Sequence, residues 1–289
     1  MTLTREASPH PHWLFTHPTC GDSLRLVPER GGLVTGWRSG GREWLYLDEA
    51  RFADPALSVR GGIPVLFPIC GNLPGDRLPL PQGGEAALRQ HGFARDLPWT
   101  LELLADGEGV ALTLVDDAST RALFPFAFRL LLELRLGPGS LTIAARVSHT
   151  GPPEAPPMPF SLGFHPYFRV SDPAAAELGG FPEHCFDPLS QADVATATQW
   201  ERLGEGVDLL ARPLGPAVTL RDPAAGTTLT LELTAPLDRV VVWTDPPRPM
   251  VCLEPWSGPR GALLSGDGRL ELAPGDSREL LCRYRATAG

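Results

Sequence analysis

Apolar and polar positions alternate with a period of two wherever this chain shows a clear pattern. Phe126, Phe128, Leu130, Leu132, Leu134 and Leu136 alternate with Ala127, Arg129, Leu131, Glu133 and Arg135. Leu141, Ile143, Ala145 and Val147 interleave with Thr142, Ala144, Arg146 and Ser148, and Leu229, Leu231 and Leu233 with Thr228, Thr230, Glu232 and Thr234. Successive side chains of a strand point to opposite faces, so each run predicts a strand with one apolar and one polar face. Val240–Trp243 and Leu280–Tyr284 read as further strands. Gly137-Pro138-Gly139-Ser140, Asp222-Pro223-Ala224-Ala225-Gly226 and Ala273-Pro274-Gly275-Asp276 supply the turns between them.

Helical periodicity is nearly absent. Asp172 to Leu178 is the one stretch that suits a turn or two, and 31 glycines and 32 prolines work against long helices. Many strands at short spacing, joined by turns rich in Gly and Pro, predict an all-β fold, a large antiparallel β-sandwich. No linker or repeat divides the chain. The expectation is one domain over residues 1–289, with residues 1–20 as a peripheral segment and Gly151–Pro159 as a loop inside the domain. The longest loop candidate, Asn72 to Arg89, would form a rim or lid.

Composition then narrows the chemistry. At 289 residues the chain can bury a large core without disulfide staples. A net charge of −9 argues against nucleic acid or an anionic membrane as partner, and no apolar run is long enough to span a bilayer. Residues 1–15 hold no apolar stretch of signal-peptide type, and five scattered cysteines without a CxxC pair read as free thiols, so a cytoplasmic protein is expected. The chain contains no lysine. Schiff-base, pyridoxal and Walker-type nucleotide chemistry each need one, and are excluded within this chain.

Two histidines and a glutamate stand out from ordinary core sequence. His165 lies in Gly163-Phe164-His165-Pro166-Tyr167-Phe168, where the following proline forces an extended backbone. Glu254 sits in the apolar run Met250-Val251-Cys252-Leu253-Glu254-Pro255-Trp256. A carboxylate is rarely buried in such company unless it is paired or functional, and desolvation there would make it a better proton acceptor near neutral pH. His91 precedes Gly92, and Arg60 precedes Gly61-Gly62, where a guanidinium can act as a rigid fork for hydroxyls or a phosphate. Set against these readings are ordinary structural ones: a buried histidine with a satisfied hydrogen bond, a glutamate or an arginine in a salt bridge. His10, His12 and His17 have metal-like composition but read as a solvated tail.

Five ordered motifs shift the balance. Arg60-Gly61-Gly62-Ile63-Pro64-Val65-Leu66-Phe67-Pro68, His91-Gly92-Phe93-Ala94-Arg95 followed by Trp99, Phe124-Pro125-Phe126, the His165 segment and Glu254-Pro255-Trp256 together resemble the aldose 1-epimerases. The likeness runs from about Gly31 onward, and is closest to the branch holding hexose-6-phosphate mutarotases and related bacterial proteins. It implies a β-supersandwich of the galactose mutarotase type with a cleft across one sheet. It implies Glu254 as general base and His165 as general acid, with His91 and Arg60 positioning substrate and Arg95 in a less defined role. An aspartate of the second half contacts sugar in several relatives, and here Asp187 and Asp208 both qualify. The implied reaction interconverts α and β anomers, with no metal and no other cofactor. The expected partner is a small sugar or sugar phosphate, and the expected state a monomer or weak homodimer.

Two other readings compete. A non-catalytic sugar-binding sandwich would use the aromatic rings as stacking platforms, but needs neither acid nor base. A glycoside hydrolase would need two carboxylates flanking one bond, and only Glu254 has strong context. Between a free hexose and a hexose 6-phosphate, the arginines Arg60, Arg77, Arg89 and Arg95 near the motifs favour the phosphate slightly.

Overall fold

In the computed structural model, which describes residues 3–80 and 83–288, the alternating runs form the strands they predict. Phe128–Gly137 and Ser140–His149 make an antiparallel hairpin in which Leu130 faces Val147, Leu132 faces Ala145 and Leu134 faces Ile143. These residues are buried, while the intervening Arg129 and Arg146 are exposed. Phe126 is buried just ahead of the strand, its N–H bonded to the Phe124 carbonyl at 2.7 Å, so pairing starts two residues later than the alternation indicates.

The hairpin belongs to an eight-stranded antiparallel sheet, the back sheet. Its order is Glu177–Gly179, Ala217–Asp222, Thr227–Leu233, Ser277–Ala288, Ser140–His149, Phe128–Gly137, Gly109–Val115, Thr100–Leu103. A second large sheet, the cleft sheet, runs Ala192–Ala195, His184–Asp187, Asp208–Ala211, Arg239–Trp243, Met250–Trp256, Gly163–Phe164, Val65–Leu66. Tyr167–Arg169 also pairs with Met250–Trp256. The inner faces of the two sheets share one apolar core, where Val65 and Phe164 meet Leu132, Leu134 and Ile143. This is the sandwich that the turn-rich alternation predicts.

A third sheet of five strands, Leu3–Glu6, His12–Thr16, Ser23–Val27, Leu33–Ser39 and Arg42–Glu43, joins the same core through Phe15, Leu24, Leu26 and Trp37. The N-terminal histidines are therefore not a solvated tail. His12 and His17 are buried, and His10 hydrogen-bonds Glu49 at 2.9 Å. The strand pairing that places Phe15 in the core fixes its neighbours as well.

Helix is confined to short pieces. Pro173–Ala175 forms a single 3-10 turn in which Asp172 accepts from the Ala174 N–H, within the stretch that reads as helical. Ala118–Leu123 is a helix the periodicity does not reveal, closed by a capping box in which Asp117 and Thr120 exchange side-chain-to-backbone bonds. The segment read as a rim loop contains a small hairpin, Arg77–Pro79 with Glu85–Ala87; its Leu78, and Leu88 just after it, are buried in the main core, and residues 81 and 82 lie outside the described residues. No helix among the described residues is long and apolar enough to cross a membrane.

Integration of the first strands is testable. Phe15 is fully buried, so Phe15→Ala should cost about 3–5 kcal/mol in urea unfolding. A loss below about 1 kcal/mol would return this segment to the periphery.

Candidate active site

Strand Met250–Trp256 explains how a carboxylate comes to lie inside an apolar run. Val251 and Leu253 face the core between the sheets, while Met250, Cys252, Glu254 and Trp256 point to the opposite face. Cross-strand register then sets out rows on that face. Val241 stands opposite Glu254, and Trp243 opposite Cys252; beyond them Asp208 pairs with Trp243, and Tyr167 with Cys252. The rows floor a cleft of about 210 Å³, below the roughly 300–1,000 Å³ of sites for drug-sized ligands and fit for a single sugar ring.

The Gly163–Phe164 and Tyr167–Arg169 strands flank Met250–Trp256 on one side, and His165 projects between them. Its N–H donates to the Pro64 carbonyl at 3.0 Å. The imidazole stacks on Tyr167, with centroids 4.7 Å apart and planes at 10°, and meets Trp243 edge-on at 5.5 Å. Its Nε2 lies 3.4 Å from Glu254 Oε1, while Nδ1 has no partner among the described residues. Glu254 is 1% exposed, and its Oε2 accepts from Trp256 Nε1 at 3.1 Å.

Burial governs how this pair holds protons. Desolvation, and then the Asp208 carboxylate, push Glu254 well above the usual carboxylate range, against the Trp256 hydrogen bond and the charges of Arg260 and Arg95. Desolvation, and then Arg95, drop His165 from 6.5 to about 3. The two shifts run in opposite directions, so a proton shared by the sugar-free pair favours the carboxyl over the imidazole. Opposed shifts on adjacent groups in a cleft are what a proton-transfer site requires.

His91 forms part of the wall. Its backbone is left-handed at φ +67°, an uncommon conformation outside glycine, and Gly92 follows at +70°, where a Cβ would lie 2.2 Å from the Phe67 carbonyl oxygen. The Gly71 N–H donates to His91 Nδ1 at 3.1 Å, which places the ring proton on Nε2, 3.3 Å from the Gln90 side-chain amide. Burial, then His165 and nearby arginines, hold His91 well below its ordinary pKa, so it is a neutral donor.

Three guanidiniums line the cleft. Arg60 lies 3.6 Å from Asp245 and over Trp243; Arg260 bonds Asp208 at 2.7 Å and reaches Asn72. Arg95 donates to the Gln90 carbonyl and has no carboxylate within ion-pair distance among the described residues. Of the two candidate aspartates, Asp208 lines the cleft, where burial raises its pKa. Asp187 lies outside it and serves a turn, accepting from the Leu189 N–H and the Ser190 hydroxyl. Arg77, paired with Glu85, and exposed Arg89 also lie outside. Arg260, unremarked in the sequence, replaces them; its setting in Gly258-Pro259-Arg260-Gly261 parallels that of Arg60 before two glycines.

His165, Cys252 and Glu254 bring donor atoms within 4.8 Å of one another, the one such cluster among the described residues. Burial pushes the Cys252 thiol well above its ordinary pKa, and three arginines surround the cleft. A protonated thiol and a cationic wall suit a metal ion poorly, and a proton-handling pair well.

Comparison with known proteins adds independent findings. The family model described as aldose 1-epimerase matches residues 23–285. A protein named "Putative glucose-6-phosphate 1-epimerase" from Escherichia coli K12 is 32% identical over 180 residues, covering 61% of this chain and 54% of the relative. The chain spans about half the length of the first such relatives. The crystal structure of the Slr1438 protein from Synechocystis superposes with a TM-score of 0.90 at 35% identity, covering 100% of this chain and 98% of that one. A galactose mutarotase-like protein from Lactobacillus casei gives 0.77 at 20% identity, covering 95% and 100%, a likeness of fold alone.

The two opposed shifts predict opposed pH effects on stability. The unfolded chain binds a proton at His165 below 6.5 that the folded site refuses down to about 3, so stability falls as pH drops through that window. Folded Glu254 keeps its proton above the ordinary 4.5, so stability falls as pH rises beyond it. Thermal melts should show His165→Asn flattening the acid-side slope and Glu254→Gln raising Tm at neutral pH. Unchanged slopes would mean both groups are solvated.

Proposed function

The chain belongs to the aldose 1-epimerase family, and from that premise we propose that it interconverts the α and β anomers of a hexose, with a hexose 6-phosphate as preferred substrate. The observation that carries the reading is the 3.4 Å approach of His165 Nε2 to Glu254 Oε1 on the cleft floor. The anomeric hydroxyl O1 and the ring oxygen O5 share C1, so groups that address both must themselves be close neighbours.

In this reading Glu254, as carboxylate, takes the proton from the O1 hydroxyl, and His165, as imidazolium, delivers one to O5. The C1–O5 bond breaks and C1–O1 becomes a carbonyl. Rotation about C1–C2 turns the other carbonyl face to the C5 hydroxyl, and the reverse transfers close the ring as the opposite anomer. The charged pair that begins the reaction has the same proton count as the neutral pair of the sugar-free cleft, so ligand entry has only to move one proton across a short gap. An acid and a base so placed each contribute roughly 10²–10⁴-fold. His91 Nε2–H and the Arg260–Asp208 pair supply fixed partners for hydroxyls.

The phosphate preference is supported by Arg95, the cleft guanidinium without an acidic partner, flanked by Arg60. An anion there gains a charge-assisted bond without breaking an existing ion pair. The name of the E. coli relative, "Putative glucose-6-phosphate 1-epimerase", points to the same substrate.

Saturation-transfer NMR on glucose, galactose and their 6-phosphates tests the reaction directly. Exchange should accelerate, most for a 6-phosphate; no acceleration of any, with line broadening from binding, would mark a binding module instead. Glu254→Gln should reduce exchange by at least 10²-fold while retaining fold and binding. Arg95→Gln should raise KM for the phosphate at least tenfold and leave the free sugar nearly unaffected; equal losses on both would place the phosphate elsewhere.

A further inference from the structure

One indole, that of Trp256, contacts four parts of the cleft. Its Nε1–H donates to Glu254 Oε2 at 3.1 Å. Its ring meets the His91 imidazole edge-on at 5.7 Å, and the Arg260 guanidinium carbon stands 5.8 Å from its centroid. Gly163, two residues before His165, is its direct cross-strand partner, and a Cβ there would come within 2.6 Å of the indole Cδ1. The side chain is 1% exposed and shares the cleft face with Glu254.

We propose that Trp256 is a positioning residue of the acid–base pair: by holding Glu254 Oε2 it leaves Oε1, the oxygen beside His165, to exchange the proton with the sugar. The proposal rests on the reading of Glu254 as general base. An N–H aimed at a carboxylate favours its ionised form, and a carboxylate so buried needs such a donor to act as a base. The other groups facing Glu254 do not supply one. His165 and Tyr167 flank it from the neighbouring strands, and Cys252 lies beside it on its own. Asp208, on its strand, opposes ionisation, while Arg260, from a turn, and Arg95, from the 3-10 helix Ala94–Asp96, favour it by charge alone. His91, across the indole, and buried Cys70, beneath it, are held neutral.

Gly163 gives the arrangement its second half. The strand that presents His165 lacks a side chain at the point where the indole packs, so the acid's strand seats the ring that orients the base. Acid and base are thereby registered to each other through one contact.

Two variants disturb that contact in different ways. Trp256→Phe keeps a ring and removes the donor; Gly163→Ala keeps the donor and displaces the ring. Each should lower kcat roughly tenfold or more with little change in KM, and move the basic limb of kcat/KM, where the pair loses its proton from Glu254, upward by about one pH unit. The double variant should be no worse than Trp256→Phe alone. Independently of turnover, the Trp256 indole peak in a ¹⁵N–¹H spectrum, identified by its loss in Trp256→Phe, should lie downfield and shift upfield in Glu254→Gln. Additive losses, an unmoved basic limb or an unmoved indole peak would each overturn the positioning role. If the variants unfold, the indole peak, assigned instead by its NOE to the His91 ring, decides between wild type and Glu254→Gln. Wild-type turnover by Glu254→Gln would instead remove the base reading itself.

Discussion

A carboxylate held out of water on a sheet face is the constraint around which the cleft is arranged. Burying Glu254 without compensation would cost several kcal/mol. The structure meets that cost with one indole hydrogen bond, an adjacent imidazole and guanidiniums set one shell further out. None of them fully neutralises it. The result is a carboxyl group poised to change protonation rather than one locked in a salt bridge. The same desolvation acts on His165 in the opposite sense, so one physical cause prepares both partners.

Strand geometry makes this possible with little specialised backbone. Because faces alternate, Met250–Trp256 contributes Val251 and Leu253 to the core and its remaining side chains to the cleft. The aromatic motif residues divide in the same way. Phe67 packs on Phe128 at 5.0 Å and on Phe160 at 6.0 Å inside the sandwich, whereas Tyr167, Trp243 and Trp256 line the cleft. A motif such as His91-Gly92-Phe93 therefore joins a wall residue to a core anchor, and the core fixes the wall.

That division marks how much could be read in advance. Alternation exposed the long strands because each carries one solvent-facing polar row, as Arg129 and Glu133 do between leucines. It could not expose the helix Ala118–Leu123, which is stabilised by a local cap and too short for periodicity. His165, Glu254, His91, Arg60 and Arg95 were legible through the motifs and gather in one cleft. The choice between Asp187 and Asp208 was not, since it depends on where a strand pairs laterally rather than on neighbours in sequence. Arg260 escaped for a related reason: its role comes from Asp208 and Asn72, 52 and 188 residues away.

The position of Ser277–Ala288 has a consequence for biosynthesis. It lies inside the back sheet, between Thr227–Leu233 and Ser140–His149, pairing along both edges. Until it emerges from the ribosome, those two strands present long open edges with no partner between them, the template most prone to capture by another chain. Cys185, Asp208 and Glu254 are all translated before that gap can close. Yield of the native protein during synthesis should therefore be governed by how long the nascent edges wait, a kinetic burden set by strand order and not by the strength of any single contact.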